Sequence, residues 1–319
     1  MKHIRSFLAR LCMQLVCLLL GIILAVMAGI TAYVQFHIHK LQQPEQQLQA
    51  APVFSEIDPV NLSGNAQSTP SALTHILLIG QDAREGTEGS RSDSIIICTY
   101  NQRTNTLCLT SLLRDLYVPI PGHGSNRINA AYAFGGRDLL QQTVEDCFQL
   151  EIDGCVEVDF GQFSEIIDLL GGVRIDLRAD EAALISEETG TQLSEGIQSL
   201  NGSQALAYAR IRKLDADGDF SRTNRQRTVI QAILESYRNA GTGTILKLVY
   251  NLLPMISTDM DAGQILALAI SAVPQMNQME FVSRHIPAAG EFQEQTIDGM
   301  AVLVPDLEKC RNRLQNSSQ

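Results

Sequence analysis

From Leu11 to Phe36 the chain carries no charged side chain, and the run includes LVCLLLGIILAVMAGI. About 20 apolar residues cross a ~30 Å hydrocarbon core as a helix, whereas the apolar part of a cleavable signal is only ~7–15 residues long. The segment 11–36 therefore reads as an uncleaved transmembrane anchor. Lys2, Arg5 and Arg10 precede it. Cations before such a helix stay in the cytoplasm, which makes 1–10 a cytoplasmic N-terminus and places everything after residue 40 outside the cell. A cleaved signal peptide is the competing reading, because Ala25 and Ala28 resemble a cleavage site.

Residues 37–72 are rich in Gln, Pro, Ser and Ala with little apolar periodicity, as expected of an extracellular linker with some helical character near QQPEQQLQA. From Leu73 short apolar runs alternate with amphipathic segments. HILLIG, DSIIICTY, TLCLTSL, CVEVDF, VRIDL and MEFVSRHIP read as strands. RDLLQQTVEDCF, FSEIIDLLGG, TVIQAILESYR, TILKLVYNLL, DAGQILALAISAV and DLEKCRNRL read as helices. The fold class is α/β, one sheet covered by helices, in a single domain over 73–310 followed by a tail at 311–319. Stretches such as FSEIIDLL and QILALAI are taken as ordinary core.

Cys98, Cys108, Cys147, Cys155 and Cys310 fall on the extracellular side, where disulfides persist. A hairpin with loop residues 101–105 would set Cys98 opposite Cys108, and Cys147 lies close to Cys155 in sequence. Two bridges and a free thiol, or five buried reduced cysteines, are both compatible with this spacing.

A net charge of −11 argues against nonspecific nucleic-acid binding, which needs a broad basic face. Yet RIRKLDADGDFSRTNRQR, residues 210–227, gathers Arg210, Arg212, Lys213, Arg222, Arg225 and Arg227. Asp215, Asp217 and Asp219 suggest a calcium loop, but Phe220 and Gln226 stand where such a loop needs Gly and Glu. With Ser221 as N-cap, a helix would place Arg222, Arg225, Gln226, Val229 and Ile230 on one face. Its N-terminal end favours an anion. Arg210 and Arg212 would share a face if their segment is extended. Four guanidinium groups would then converge, and the planar fork of Arg suits phosphate oxygens. The bland reading is a solvated basic face balanced by the three aspartates.

The pairing of Arg with Asp recurs upstream. IGQDAREGTEGSRSDS holds Asp82, Arg84, Arg91 and Asp93, and SLLRD adds Arg114 and Asp115. Loops that follow strands are where α/β sheets hold ligands. Two carboxylates in an arginine-rich site invite Mg²⁺, a hard cation able to bridge them to a phosphate.

The motifs GQDAR, RSDS before a strand, LLRD, RINAAYAFGG, VDFGQF, DLLGGV, LNGSQALAYAR, RIR, GDFSRTNRQ and VLVPDLE occur in this order over the anchor and nearly all of 73–310. In this the chain resembles the LytR-CpsA-Psr family of membrane-anchored cell-wall glycopolymer ligases. The resemblance implies an α/β/α sandwich with a central mixed sheet and a pocket for a polyprenyl chain. It also implies transfer of a glycopolymer, such as teichoic acid or capsule, from undecaprenyl diphosphate to peptidoglycan in the Gram-positive envelope, with Mg²⁺ at the diphosphate. Asp82 and Asp93 match the metal-binding aspartates. Arg91, Arg114, Arg210, Arg212 and Arg222 match the diphosphate-binding arginines, Gln226 the glutamine on the same helix, and Asp219 the aspartate before it. Arg225 is grouped with the diphosphate ligands, whereas Arg84, Arg127 and Asn129 fit the pattern but also suit structural roles. Leu113 and Ser94 replace the Pro and Thr common in the family.

The implied catalytic set is Arg114, Arg210, Arg212, Arg222, Asp219 and Asp115, with the general base open among Asp82, Asp115 and Asp219. A muramic-acid hydroxyl would attack phosphorus while Mg²⁺ and the arginines balance charge. With water as acceptor the same site is a diphosphate hydrolase. A noncatalytic, membrane-bound carrier or regulator is the other alternative, and the paired carboxylates argue against it.

Overall fold

The fold is taken from a computed structural model, which describes residues 73–81, 92–215 and 217–315. The expected anchor and linker, together with Asp82, Arg84 and Arg91, lie outside the described residues. Among the described residues no helix is long and apolar enough to cross a membrane.

Strands β1 (Leu73–Gln81), β2 (Ser92–Asn101) and β3 (Thr106–Leu112) open the domain as a meander. A short hairpin, β4 (Tyr117–Ile120) and β5 (Gly124–Arg127), leads into α1 (Ile128–Phe148). Then come β6 (Gly154–Asp159), α2 (Phe160–Leu169), β7 (Val173–Leu177), α3 (Ala179–Thr189), β8 (Gly196–Leu200), α4 (Gly202–Arg210) and α5 (Asp219–Tyr237). The chain ends with α6 (Thr242–Leu252), β9 (Ser257–Thr258), α7 (Ala262–Ala272), β10 (Glu280–Ile286), β11 (Phe292–Ile297), β12 (Met300–Pro305) and α8 (Leu307–Gln315). The central sheet runs β10-β3-β2-β1-β6-β9. It is mixed, with β1 parallel to β6 and β3 parallel to β10.

Pleating sends alternate residues to opposite faces. Leu77, Ile79, Ile95, Ile97 and Cys155 enter a core closed by Leu140, Val144 and Phe148 of α1 and by Cys310 and Leu314 of α8. A second core, built from α2, α3, α4, α5 and the β7–β8 hairpin, contains no residue of the central sheet. The two helical layers on either side of the sheet thus have separate interiors. Reciprocal capping fixes where helices begin: Asp159 accepts from the Gln162 amide at 2.8 Å while Gln162 accepts from the Asp159 amide at 2.9 Å. Asn201 with Gln204 repeats the device at α4. A Cβ at Gly202 would stand 2.1 Å from the Ser164 carbonyl oxygen, so only glycine lets α4 lie this close to α2.

Several expectations need correction. The β2–β3 turn is one residue tighter than anticipated, pairing Asn101 with Thr106. Cys98 is therefore opposite Leu109, and Cys108 opposite Thr99, which turns the two thiols to opposite faces. All five described cysteines are free. Cys147 points to the Pro119 carbonyl and Cys155 to Gln141, so they do not bridge either. Burial pushes the Cys98, Cys155 and Cys310 thiols up to about 12, keeping them protonated and unreactive. The stretch QILALAI, expected in the core, lies in α7, which contributes no fully buried residue and leaves Ile270 52% exposed.

His75 and His285 are both held neutral inside the fold. His75 shares a 2.9 Å hydrogen bond with Thr99, and burial lowers its pKa against the pull of Asp153. His285 sits edge-on to Phe220, with ring centroids 5.0 Å apart, and burial again lowers its pKa below 6.5. A depressed pKa means the unfolded chain binds the extra proton first. Stability from these groups is complete above 6.5 and is lost as pH falls through the folded values. The melting temperature is expected to drop between about pH 7.5 and about pH 5. His285→Gln should flatten that decline, and an unchanged slope would remove His285 from the account.

Candidate functional site

The strand ends that carry the sequence motifs meet at one corner of the sheet. Asp93 is the second residue of β2, opposite a register break between Gly80 and Gln81 of β1. Gly80 is required there, since an added Cβ would press to 2.9 Å on Ser94. Arg114 follows β3 in a turn pinned by the Leu113 amide, which donates to Ile286 at 3.0 Å. α5 supplies Asp219, Arg222 and Gln226. It starts at Asp219 with Gly218 as N-cap, three residues before the expected N-cap Ser221. Gly218 has φ 49°, a left-handed angle glycine adopts freely.

Two aspartates and two arginines form a ring of alternating charge. Arg114 reaches Asp93 at 2.7 Å and Asp219 at 3.5 Å. Arg222 reaches Asp219 at 2.8 Å and Asp93 at 3.6 Å, and donates to the Asp93 carbonyl at 2.9 Å. Arg212 approaches the other Asp93 oxygen at 3.4 Å. Burial would raise the Asp93 pKa, but Arg222, Arg114 and Arg212 outweigh it and hold the carboxyl below its ordinary value. Arg222 is only 2% exposed, and burial pushes it down to about 10 against the pull of Asp219. At neutral pH it is still charged.

This ring borders a cavity of about 960 Å³, at the upper end of the range for ligand pockets of ~300–1,000 Å³. Asp93, Arg114, Arg210, Arg212, Lys213, Arg222 and Gln226 supply its charged and polar end. The rest is apolar. Leu78, Ile96, Val156 and Val158, from the sheet face turned away from the first core, form one wall. Phe163 and Ile166 of α2, Leu206 of α4, and Ile230 and Ile233 of α5 form the other. FSEIIDLL thus divides its work: Ile167 joins the second core while Phe163 and Ile166 line the cavity.

Arg210, expected beside Arg212 on an extended segment, is the last residue of α4. It stands at the rim, stacked 4.9 Å over the Phe160 ring and 3.8 Å from Glu188. Arg225 does not line the cavity. It is turned to Glu181, at 2.8 Å, and to Asp215. Asp115 is also outside, paired with Arg127 at 3.2 Å. Sequence reasoning missed Phe160, Glu188 and Lys213 at the rim, although Lys213 sits within the basic cluster. A helix-starting Phe gives no sequence signal of a stacking role.

Among the described residues no group of three or more His, Cys, Asp or Glu is placed to hold a metal ion. Among the described residues the Asp93 Oδ2 meets only Arg212, which is half-exposed and 3.4 Å away. That oxygen keeps coordinating capacity. A hard cation held by one or two carboxylates and completed by phosphate oxygens fits this donor set. Chemically, the arrangement suits an amphiphile with an anionic head and a long hydrocarbon tail.

The comparisons with known proteins agree with this architecture. Polyisoprenyl-teichoic acid–peptidoglycan teichoic acid transferase TagU of Bacillus subtilis (strain 168) is 38% identical over 181 residues, 55% of this chain and 57% of that protein. The match thus spans little more than half the relative's length. TagU of Oceanobacillus iheyensis is 33% identical over 267 residues, covering 81% of this chain and 74% of its own. The solved structure of TagT bound to LIIa-WTA superposes with a TM-score of 0.63 at 28% identity, over 76% of this chain and 90% of that one. With a family profile matching residues 32–317, the chain belongs to the LytR_cpsA_psr family.

Proposed function

We propose that this protein is a phosphotransferase that moves a glycopolymer, through its terminal sugar phosphate, from an undecaprenyl-diphosphate carrier to a peptidoglycan hydroxyl. The observation that carries the reading is the continuity of an arginine-lined, anion-binding end with the apolar walls of a cavity of about 960 Å³. The teichoic acid transferase activity of the TagU relatives and the LIIa-WTA bound to TagT support it. The diphosphate takes the charged end and the isoprenoid chain the apolar walls. An N-terminal single-pass anchor, with the catalytic domain on the outer face of the cell membrane, belongs to the same reading.

In the reaction the acceptor oxygen forms a bond to the phosphorus that carries the sugar. The bond from that phosphorus to the bridging oxygen breaks, and undecaprenyl phosphate leaves with the electron pair. Arg114, Arg212 and Arg222 lie where negative charge builds on the phosphoryl oxygens and the leaving group, so they stabilise the transition state electrostatically. Arg210 and Gln226 contact the diphosphate from the rim and from α5. Mg²⁺ would be held by Asp93 with Asp82, and would supply further neutralisation of the diphosphate. Arg91 completes the ligand set.

Asp219 works through its neighbours. Both its carboxylate oxygens are sealed from solvent, so it orients Arg114 and Arg222 and does not accept a proton from an incoming acceptor. Asp115, paired with Arg127, likewise does not face the cavity. A carboxylate near the acceptor takes its proton, and Asp159, Glu187 and Glu188 line the cavity beside Asp93.

The full-length protein in detergent, given a polyprenyl-diphosphate oligosaccharide, Mg²⁺ and uncrosslinked glycan strands, should yield sugar-phosphate joined to glycan by mass spectrometry. Arg212→Ala should slow this by about 100-fold, the scale for losing one preorganised donor. Released polyprenyl phosphate without a glycan product would make the enzyme a hydrolase, and lipid binding with no turnover would make it a carrier or regulator. Transfer should stop with EDTA and return with Mg²⁺; EDTA-insensitive transfer removes the metal from the scheme. Asp219→Ala should lower unfolding stability by about 3 kcal/mol, because buried Arg222 loses its nearest counter-charge. A loss below about 1 kcal/mol would mean that Asp93 alone suffices to pair it.

A further inference from the structure

We propose that Arg225 is a positioning residue that clamps the segment carrying Arg212 into the mouth of the cavity, by holding Ile211 and Asp215 on either side of it. The inference rests on the reading of that mouth as a diphosphate site.

Arg212 lies between α4 and α5, in a stretch, 211–215, that belongs to no helix or strand. Its side chain is 44% exposed and approaches one carboxylate, Asp93, at 3.4 Å. A free arginine side chain samples many rotamers, so a useful Arg212 needs a backbone that is already in place. Arg225 supplies that fixation from beneath. It is 3% exposed and none of its guanidinium faces the cavity. Nη1 donates to the Ile211 carbonyl at 3.4 Å, Nη2 donates to the Asp215 carboxylate, and Nε donates to Glu181 at 2.8 Å. One planar group thus joins both ends of the segment to the start of α3. Arg178 holds Asp215 from the other side at 2.9 Å. The Asp215 carboxyl is correspondingly below its ordinary pKa, chiefly through the hydrogen bond from Arg225.

Buried ion pairs of this kind add little net stability over apolar replacements, but they do fix geometry. A merely stabilising network would change melting without changing how the site discriminates ligands. The clamp makes a sharper demand: breaking it should cost what removing Arg212 costs, and no more once Arg212 is gone.

The test uses the full-length protein in detergent, in wild type, Asp215→Ala, Arg212→Ala and the double variant. Asp215→Ala leaves Arg225 paired with Glu181, so no buried charge is stranded. Affinities are measured for a polyprenyl diphosphate and for the matching neutral polyprenol. Asp215→Ala should weaken the diphosphate about tenfold, the order of one charge-assisted contact, and leave the polyprenol unchanged. The double variant should bind no more weakly than Arg212→Ala, since coupled residues are not additive. Trypsin should cut after Arg212 and Lys213 faster in Asp215→Ala than in wild type. Unchanged diphosphate affinity in Asp215→Ala, or losses that multiply in the double variant, would overturn the clamp. If wild type does not prefer diphosphate to alcohol, the diphosphate reading fails instead. The clamp then stands if trypsin cuts faster and falls if it does not. Arg225→Gln should reproduce the trypsin result if Asp215→Ala proves too unstable to purify.

Discussion

α5 is docked through buried guanidinium groups, and the arrangement of everything around the cavity depends on that. Arg222, Arg225 and Arg227 are each 2–3% exposed, on a helix whose only other fully buried residues are Thr223 and Val229. Each guanidinium has a separate counterpart. Arg222 reaches Asp93 on β2, Arg225 reaches Glu181 and Asp215, and Arg227 donates to Ser111 of β3 at 2.6 Å and Ser283 of β10 at 2.8 Å. Placing a charge in a protein interior is expensive unless its hydrogen bonds are met, so each contact is demanding in angle and distance. Apolar packing would allow the helix to slide toward the sheet. These contacts fix its position.

The consequence is a gap. The first helical layer, α1 and α8, packs directly on the odd-numbered residues of β1 and β2, as an α/β layer normally does. The second layer keeps its apolar residues to itself, in a core that includes no central strand. The other sheet face, with Leu78, Ile96 and Val156, then borders a cavity. Close packing is the rule for protein interiors, and a void this size forfeits dispersion contacts on both walls. It persists because polar bonds at its end, and the close approach of α2 to α4 at Gly202, set the spacing independently of what lies between.

How much of this could be read from the residues follows from the range of each interaction. The strands around HILLIG, IIICTY and TLCLTSL were legible because apolar runs bounded by turn residues report burial locally. Asp93, Arg114, Arg212 and Arg222 were legible because an unusual density of arginine beside aspartate has few structural explanations, and their ordered motifs carry the family resemblance. The direction of Arg225 was not. It shares a helical face with Arg222 in projection, but its partner Glu181 is on a different helix, and no local pattern encodes a contact 44 residues away. The β4–β5 hairpin, α3 and β8 went unread because their periodicity is short or partly polar. The cavity walls were illegible in principle: Ile166 and Ile167 are neighbours of the same chemistry, one facing the void and the other the core.

The mouth is neutralised internally, and that bears on how it can take up and release an anionic group. Asp93 and Asp219 already share Arg114 and Arg222, so an arriving anion does not meet bare, mutually repelling cations. Some of the contacts it would replace are poorly aligned, although Arg114 holds Asp93 in a 2.7 Å hydrogen bond. Arg114 Nε, Arg222 Nε, both Asp219 oxygens and Gln226 Oε1 are buried without a hydrogen-bonding partner among the described residues, although the ion pairs are close. Buried polar atoms left in this state carry a desolvation penalty of ~1–3 kcal/mol each. A ligand that supplies acceptor oxygens relieves part of that penalty, and its departure restores the ring.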